Sequence, residues 1–399
     1  FTATAANIGY FWWSNDIGGH MLGGSDDTMA ARWFQLGCFS PINRLHSSSS
    51  SFTSKEPWRY SRDARATMEA HLRLRHRLVP YLYTWARRSV SEGVGPVRPL
   101  YHDHPQTLAA YEHRTTFCFG NLLVVPFTSP LDGATGLGRE MAWLPDGLWY
   151  DLPTGRRYEA TTGGHGRMLS LSRPLDRIGV LARAGSVIPL AGSLKEAAGD
   201  NPRELEIVVV PGDSGSFTLE EDDGSAAPGP ERVARTHLAL TWPETEGENG
   251  EDAVLRIRLK GAADVVPDSR LIRVRLASGR VTDTLLGVGG QARRLAVEEV
   301  DGDGFTLGAG MLIHLGELGR QELVDGVELV LRGARQVPAD WPGEVHALLD
   351  AAHVAYAAKD RAWSAVERGL CGTDLLGEME SLGLPETLRA AVAEVLPHS

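Results

Sequence analysis

Three rhythms of apolar positions follow one another along the chain. Met68, Leu72, Val79, Leu82 and Tyr83 recur at spacings of three and four, which predicts one long helical pattern after a cap at Ser61 or Asp63. Pro80 lies inside that pattern and predicts a kink or a break, because proline lacks the amide hydrogen and clashes with the preceding turn. From about Ser89 to Gly192 short apolar runs at 122–126, 141–145 and 149–152 are separated by turn residues such as Pro153, Thr154 and Gly155. Runs of this length at such intervals predict an antiparallel sandwich. Leu255, Ile257 and Leu259 then alternate with Arg256, Arg258 and Lys260, and Ile272, Val274 and Leu276 alternate with Arg273 and Arg275. A period of two gives each strand one apolar and one charged face, so a second β domain is expected. After about residue 340 the helical period returns through Val345, Leu348, Leu349, Ala352 and Tyr356, then Leu388, Ala391, Val392 and Val395. The partition read from these patterns is 1–88, 89–192, 193–320 and a mainly helical 321–399.

Composition narrows the functional classes. The 399 residues are 42% hydrophobic and 23% charged, with 40 Lys and Arg against 51 Asp and Glu, a net charge of −11. This is the composition of a globular chain, and its acidity argues against a nucleic-acid partner, whose phosphates reward clustered cations. No apolar run approaches the roughly 18 residues of a membrane-spanning helix, so no membrane partner is expected. The start has neither a basic segment nor an uninterrupted apolar stretch, which gives a cytoplasmic expectation. Cys38, Cys118 and Cys371 are odd in number and far apart, fitting neither a disulfide scaffold nor a metal motif, and they read as small buried hydrophobes. No cofactor or metal is expected, and a homo-oligomer stays open.

Candidate chemistry is densest in the first 60 residues. Asn15 and Asp16, followed by Ile17, Gly18, Gly19 and His20, come after the apolar run 8–13, which predicts a strand passing into a sharp loop. A carboxylate beside aromatic rings such as Trp13 suits a sugar, whose C–H faces stack on rings while its hydroxyls bond to carboxylates. The plain alternative for Asp16 is a loop-capping acid. Arg44 and His46 follow in a second loop; a neutral His46 both donates to and accepts from hydroxyls. Glu56, in Lys55-Glu56-Pro57-Trp58, reads either as a site group or as a salt-bridge partner behind it. Elsewhere, Asp26 and Asp27 are placed to cap a helix from about Thr28, and the run 220–223 reads as a solvated turn. Asp301 and Asp303 form half a calcium loop without its closing Glu, and His346 and His353 are too widely spaced for a paired metal site.

In this order and spacing, Asp16 to Gly19, Arg32 to Pro41 (R-W-x-Q-x-G-x-F-x-P), Arg44 to His46, Glu56 to Trp58 and Arg75 to Tyr83 (R-x-x-L-x-P-Y-L-Y) resemble glycoside hydrolase family 31. Looser similarity continues to about residue 230. The resemblance implies a multidomain α/β plus β fold: a (β/α)₈ TIM barrel, then proximal and distal β-sandwiches. It implies a retaining α-glycosidase acting on an α-linked oligosaccharide or glycoside, in which one carboxylate attacks the anomeric carbon and a second releases the leaving oxygen. In the family both are aspartates that precede the D-I-G-G segment, so they are expected upstream of Phe1, and the chain by itself is expected to be inactive. A closed barrel takes about 250 residues, so 1–88 has room for its last two βα units. By resemblance Asp16 and His46 contact the sugar hydroxyls, with Trp13 and His20 at the pocket wall and Arg44 and Glu56 in support. His20 stands where many members carry an aromatic residue, which leaves the choice of sugar open between α-glucoside, α-xyloside and α-galactoside. A carbohydrate-binding or interaction module without catalysis is the alternative from another class.

Overall fold

The computed structural model describes every residue except 20, 22, 161–163, 245–250, 305 and 398–399. The first segment carries two short extended stretches joined by isolated bridges, each followed by helix. Ser14 bridges to Ile42 and Ile17 to Leu45, both in parallel, and α1 (Asp27–Cys38) crosses between the two paired stretches. The second stretch is followed by α2 (Arg62–Arg77) and α3 (Val79–Ser91). Asp26 caps α1 by accepting the Met29 amide at 2.8 Å, as its sequence position suggests. The long helical pattern is broken at Leu78, and Pro80 enters α3 in its first turn, where a missing amide hydrogen costs nothing.

The apolar run 8–13, expected as a strand, is paired nowhere along its length among the described residues. Thr4–Ile8 is instead a 3₁₀ turn that Gly9 closes at φ +70°. Pairing begins only beyond the run, at the isolated bridges of Ser14 and Ile17. Ile8, Tyr10 and Trp12 are correspondingly exposed. Gly37 permits the tightest contact in this segment: a Cβ there would fall 2.3 Å from Ile17 Cδ1. Its absence lets α1 lie directly on the strand and bury Ile17 with Ala30, Phe34 and Met68.

The proximal sandwich contains β1 (Val97–Pro99), α4 (Leu108–Glu112), β2 (Phe117–Phe119), β3 (Leu122–Val125), β4 (Gly138–Leu144), β5 (Leu148–Asp151), β6 (Arg157–Glu159), β7 (Arg167–Arg173) and β8 (Gly179–Arg183). One sheet runs β1-β2-β3-β8-β5-β6, and the β4 and β7 pair covers it. Leu123, Val125 and Leu181 from the sheet meet Ala142, Leu144 and Leu171 from the pair in one core.

The distal sandwich follows with β9 (Val187–Ala191), β10 (Glu204–Val209), β11 (Gly215–Asp222), β12 (Val233–Thr241), β13 (Ala253–Gly261), β14 (Ser269–Ala277), β15 (Gly279–Arg280), β16 (Asp283–Val288), β17 (Gln291–Arg294), β18 (Val297–Val300), β19 (Gly310–Gly319), α5 (Arg320–Asp325), β20 (Val327–Arg332) and β21 (Arg335–Gln336). Its two large sheets run β18-β19-β14-β10-β9 and β11-β12-β13-β20-β16-β17, with β15 and β21 as a separate pair. The alternating residues of β13 and β14 are buried and accessible in turn, as the pattern predicts. Two boundaries move. β9 pairs with β10, so the distal sheet begins by Val187, before residue 192. β20 pairs with β13 and β16, so that domain continues past residue 320. Both strands are short apolar runs whose allegiance is decided by distant ladder partners, which local periodicity does not encode.

Four helices, α6 (Trp341–Ala351), α7 (Tyr356–Glu367), α8 (Gly372–Ser381) and α9 (Glu386–Val395), end the chain around a core of their own built on Val345, Ala365, Met379, Leu388 and Val392. Among the described residues no helix is long and apolar enough to cross a membrane.

α3 is the hub. Tyr81 stacks on Phe217 of the distal sandwich (centroids 5.2 Å apart), donates to Phe119 O at 3.2 Å and accepts the Asn121 amide at 2.7 Å. Gly120 (φ +59°) makes room, since a Cβ there would lie 2.3 Å from Tyr81 Oη. Burial pushes the Tyr81 hydroxyl up to about 12, so it remains a donor. Arg77, at the end of α2, reaches Glu206 of β10 at 3.0 Å beside Arg273 and Arg275.

Candidate functional site

The bridge from Ile17 to Leu45 fixes the register of the two paired stretches. Side chains alternate along a strand. Ile17 and Leu45 point into the core beneath α1 and α2, so Asp16, Arg44 and His46 fall on the opposite face, at the ends where the strands run into loops. Asp16 Oδ1 accepts from Arg44 Nη2 at 2.5 Å, with the two side chains 35% and 50% exposed. That pairing orients the carboxylate across the strand ends. His46 is half-buried one residue beyond Leu45.

The floor below Asp16 is held from α1. Trp33 Nε1 donates to Asn15 Oδ1 at 2.7 Å, and Asn15 Nδ2 reaches Ser40 Oγ at 3.3 Å. Gly18 (φ +87°) lies under the Lys55 stem, which a Cβ would meet at 2.8 Å, so the loop after Asp16 passes beneath a lysine. The sequence assigns Lys55 no role, and nothing in the local pattern marks that stem as a cover for Gly18.

The remaining predicted residues divide. Trp13 is half-buried, edge-on to Phe1 with centroids 4.8 Å apart, and its buried Nε1 finds no acceptor among the described residues. Glu56 flanks the turn Pro57–Arg59; one of its oxygens is buried without a hydrogen bond among the described residues, and the salt bridge anticipated for it does not form there. His20 lies outside the described residues.

Other polar residues of the quoted motifs act as clamps. Arg32 donates to the main-chain oxygens of Arg173 (2.9 Å), Pro174 (3.0 Å) and Arg177 (2.5 Å), while Gln35 donates to Leu175 O at 2.8 Å. Burial lowers the Arg32 guanidinium to about 10, with Asp176 opposing and Arg173 adding to the shift. Arg75 does the same for the second strand, donating to Cys38 O, Ser40 O and Pro41 O between 2.6 and 2.9 Å.

The acidic run 220–223 is not a solvated turn. Its first three residues end β11, with Glu221 3% exposed and paired to buried Arg270, Glu220 paired to Arg87 and Arg235, and Asp222 to Arg87 and Tyr83. Asp223 pairs with Arg232. Asp303 binds its own turn through Thr306 and Leu307. His346 packs edge-on against Trp363. In the first two units, Asp27 accepts the Ser61 amide and Glu69 pairs with Arg65.

Comparison with known proteins places this geometry. Residues 2–85 match the TIM-barrel domain of the glycosyl hydrolases family 31, and residues 93–188 match the C-terminal domain of that family. An α-xylosidase of Saccharolobus solfataricus is 32% identical over 243 residues, covering 59% of this chain and 31% of the relative. The lysosomal α-glucosidase of Bos taurus is 30% identical over 218 residues, covering 51% of this chain and 23% of the relative. Among solved structures, a family 31 dextranase of Flavobacterium johnsoniae complexed with isomaltotriose aligns with a TM-score of 0.65 at 20% identity, covering 83% of this chain and 41% of that one. The chain thus spans about a quarter to a third of the length of the curated relatives it matches.

Proposed function

Since residues 2–85 and 93–188 match the TIM-barrel and C-terminal domains of glycosyl hydrolase family 31, we propose that this chain supplies the sugar-binding rim and the β-sandwich support of a retaining α-glycosidase. Its two strand–helix units are read as the closing units of the barrel. Barrel enzymes carry their sites on the loops after the strands, and Asp16 and His46 occupy those positions here. The observation that carries the reading is the half-exposed Asp16 carboxylate, oriented by Arg44 at a strand end. A carboxylate so fixed accepts hydrogen bonds from vicinal hydroxyls, and His46 adds a group that donates and accepts. Neighbouring rings such as Trp13 offer stacking surface to the sugar.

The substrate class that fits is an α-linked glucoside or xyloside. These sugars differ by the exocyclic hydroxymethyl group, so a pocket wall that includes Trp13 would discriminate between them. Cleavage with retention needs two carboxyl groups about 5 Å apart, one as nucleophile and one as acid. The task assigned to Asp16 is to hold the sugar ring in place for that chemistry.

The test is steady-state hydrolysis of an aryl α-glucoside and an aryl α-xyloside by the full-length α-glycosidase of which this chain is proposed to be part, carrying Asp16→Ala. Removing a buried-on-binding charged acceptor is expected to lower kcat/KM about a hundredfold or more. Unchanged kcat/KM on both substrates would overturn the role of Asp16. Glycan binding that survives removal of 1–88 would favour the non-catalytic binding module.

A further inference from the structure

The terminal helical bundle lies outside the residues matched to the family domains, yet it is joined to the proximal sandwich by a buried charge cluster. Glu394 of α9 is 1% exposed; one of its oxygens accepts from Arg173 at 2.6 Å, Tyr158 at 2.7 Å and Arg156 at 3.0 Å. The other accepts the Ser172 amide at 2.6 Å. Arg173, also 1% exposed, pairs with Asp151 at 2.8 Å, and Asp151 in turn accepts the Val180 amide at 3.0 Å. Glu344 of α6 completes the set by pairing with Arg156. Burial pushes the Glu394 carboxyl up, but Arg173 and Arg156 more than offset this and hold it below the usual range. With these partners a buried carboxylate is tolerated; without Glu394, part of the Arg173 charge is left uncompensated.

The cluster continues toward the candidate site. Arg173 opens the turn 173–177, whose carbonyls at 173, 174, 175 and 177 all point at Arg32 and Gln35 of α1. Trp33, one of the two residues between those clamps, holds Asn15, the neighbour of Asp16, and its ring lies 3.9 Å from where a Gly19 Cβ would be. Bonded groups therefore run from the last helix of the chain to the loop that presents Asp16. The bundle has its own apolar core, so docking and folding of the bundle are separable events. That separability supplies the two-state element which coupling between distant sites requires.

We propose that α9 braces the loop carrying Asn15 and Asp16, with Glu394 and Arg173 as positioning residues that act through the 173–177 turn and α1. The consequence for ligand binding rests on the sugar-binding reading of Asp16; the brace itself does not.

Hydrogen exchange followed by mass spectrometry on the whole chain reads the loop without any ligand, and a maltotriose titration reads the site. Glu394→Ala is expected to speed exchange at 173–177 and at 15–19 about tenfold, while α6 to α8 stay protected. Maltotriose affinity is expected to fall roughly fivefold, and Glu394→Gln, which keeps one acceptor for Arg173, recovers part of both effects. Faster exchange at 173–177 with 15–19 unchanged would overturn the brace. If Glu394→Ala fails to fold, Gln35→Ala removes the bond to Leu175 O and the acceptor that Arg32 reaches at 3.1 Å while leaving the Arg32 bonds to the 173–177 turn in place, and the same two outcomes at 15–19 decide. Faster exchange at 15–19 without a maltotriose response in any variant, wild type included, would remove the sugar reading and leave the brace standing.

Discussion

The two faces of the first strand–helix units are built on opposite rules. Behind the strands, Arg32, Gln35 and Arg75 are buried or nearly so and spend their donors on main-chain carbonyls. In front, Asp16 and Arg44 stand half-exposed and pair with each other across the strand ends. In the sequence these residues look alike, as polar positions within one set of motifs. Their burial separates them: a guanidinium aimed at carbonyls fixes geometry, whereas an oriented, accessible carboxylate is available to a ligand. Charged groups behind the strands should therefore govern stability, and those in front should govern binding.

The largest effect that would break this comparison comes from Arg32→Ala. It would take the Arg32 donors from the carbonyls of Arg173, Pro174 and Arg177 and loosen α1 from the proximal sandwich, at an expected cost of about 3 to 5 kcal/mol in urea unfolding. A loss below 1 kcal/mol would show that the clamp is ornamental. Next comes acid. Burial holds His71 near pH 4, with its Nδ1 on Thr67 O and its buried Nε2 without a partner among the described residues. Its folded value lies below the ordinary 6.5, so protonation favours the unfolded chain. Stability is therefore full above pH 6.5 and falls as the pH drops toward 4, by about 3 kcal/mol in total. His71→Gln should flatten urea midpoints across that window.

Glu206 extends the loss to lower pH. Burial alone would raise its carboxyl, but Arg77, Arg275 and Arg273 outweigh burial and bring it to about 2 from 4.5. Its contribution is present above pH 4.5 and vanishes as the pH falls through 2. Glu206→Gln should shrink that lower limb and leave the His71 contribution between 6.5 and 4 in place. The smallest stability effect is expected in front of the strands, where Arg44→Ala should stay within about 0.5 kcal/mol of wild type. A larger loss would place the front face among the structural charges.

Legibility in the sequence follows the same division. Alternation in β13 and β14 and the break at Pro80 could be read directly, because each depends on neighbours within a few residues. The positions of Asp16 and His46 at the strand ends were legible from motif order. The allegiance of β9 and β20, the cover of Lys55 over Gly18, and the burial of Glu221 against Arg270 were not, since each is decided by a partner far along the chain. The same holds for Glu394, one of several acids on a helical pattern until α9 docks on β7 and brings Arg173 beside it.

The most direct test of the central claim is a nuclear magnetic resonance titration of the chain with maltotriose, comparing wild type with Asp16→Ala at matched unfolding midpoints. The account predicts saturable shifts at the tryptophan indoles that disappear in Asp16→Ala while the midpoint stays within about 0.5 kcal/mol of wild type. Equal titration curves for the two proteins would contradict it.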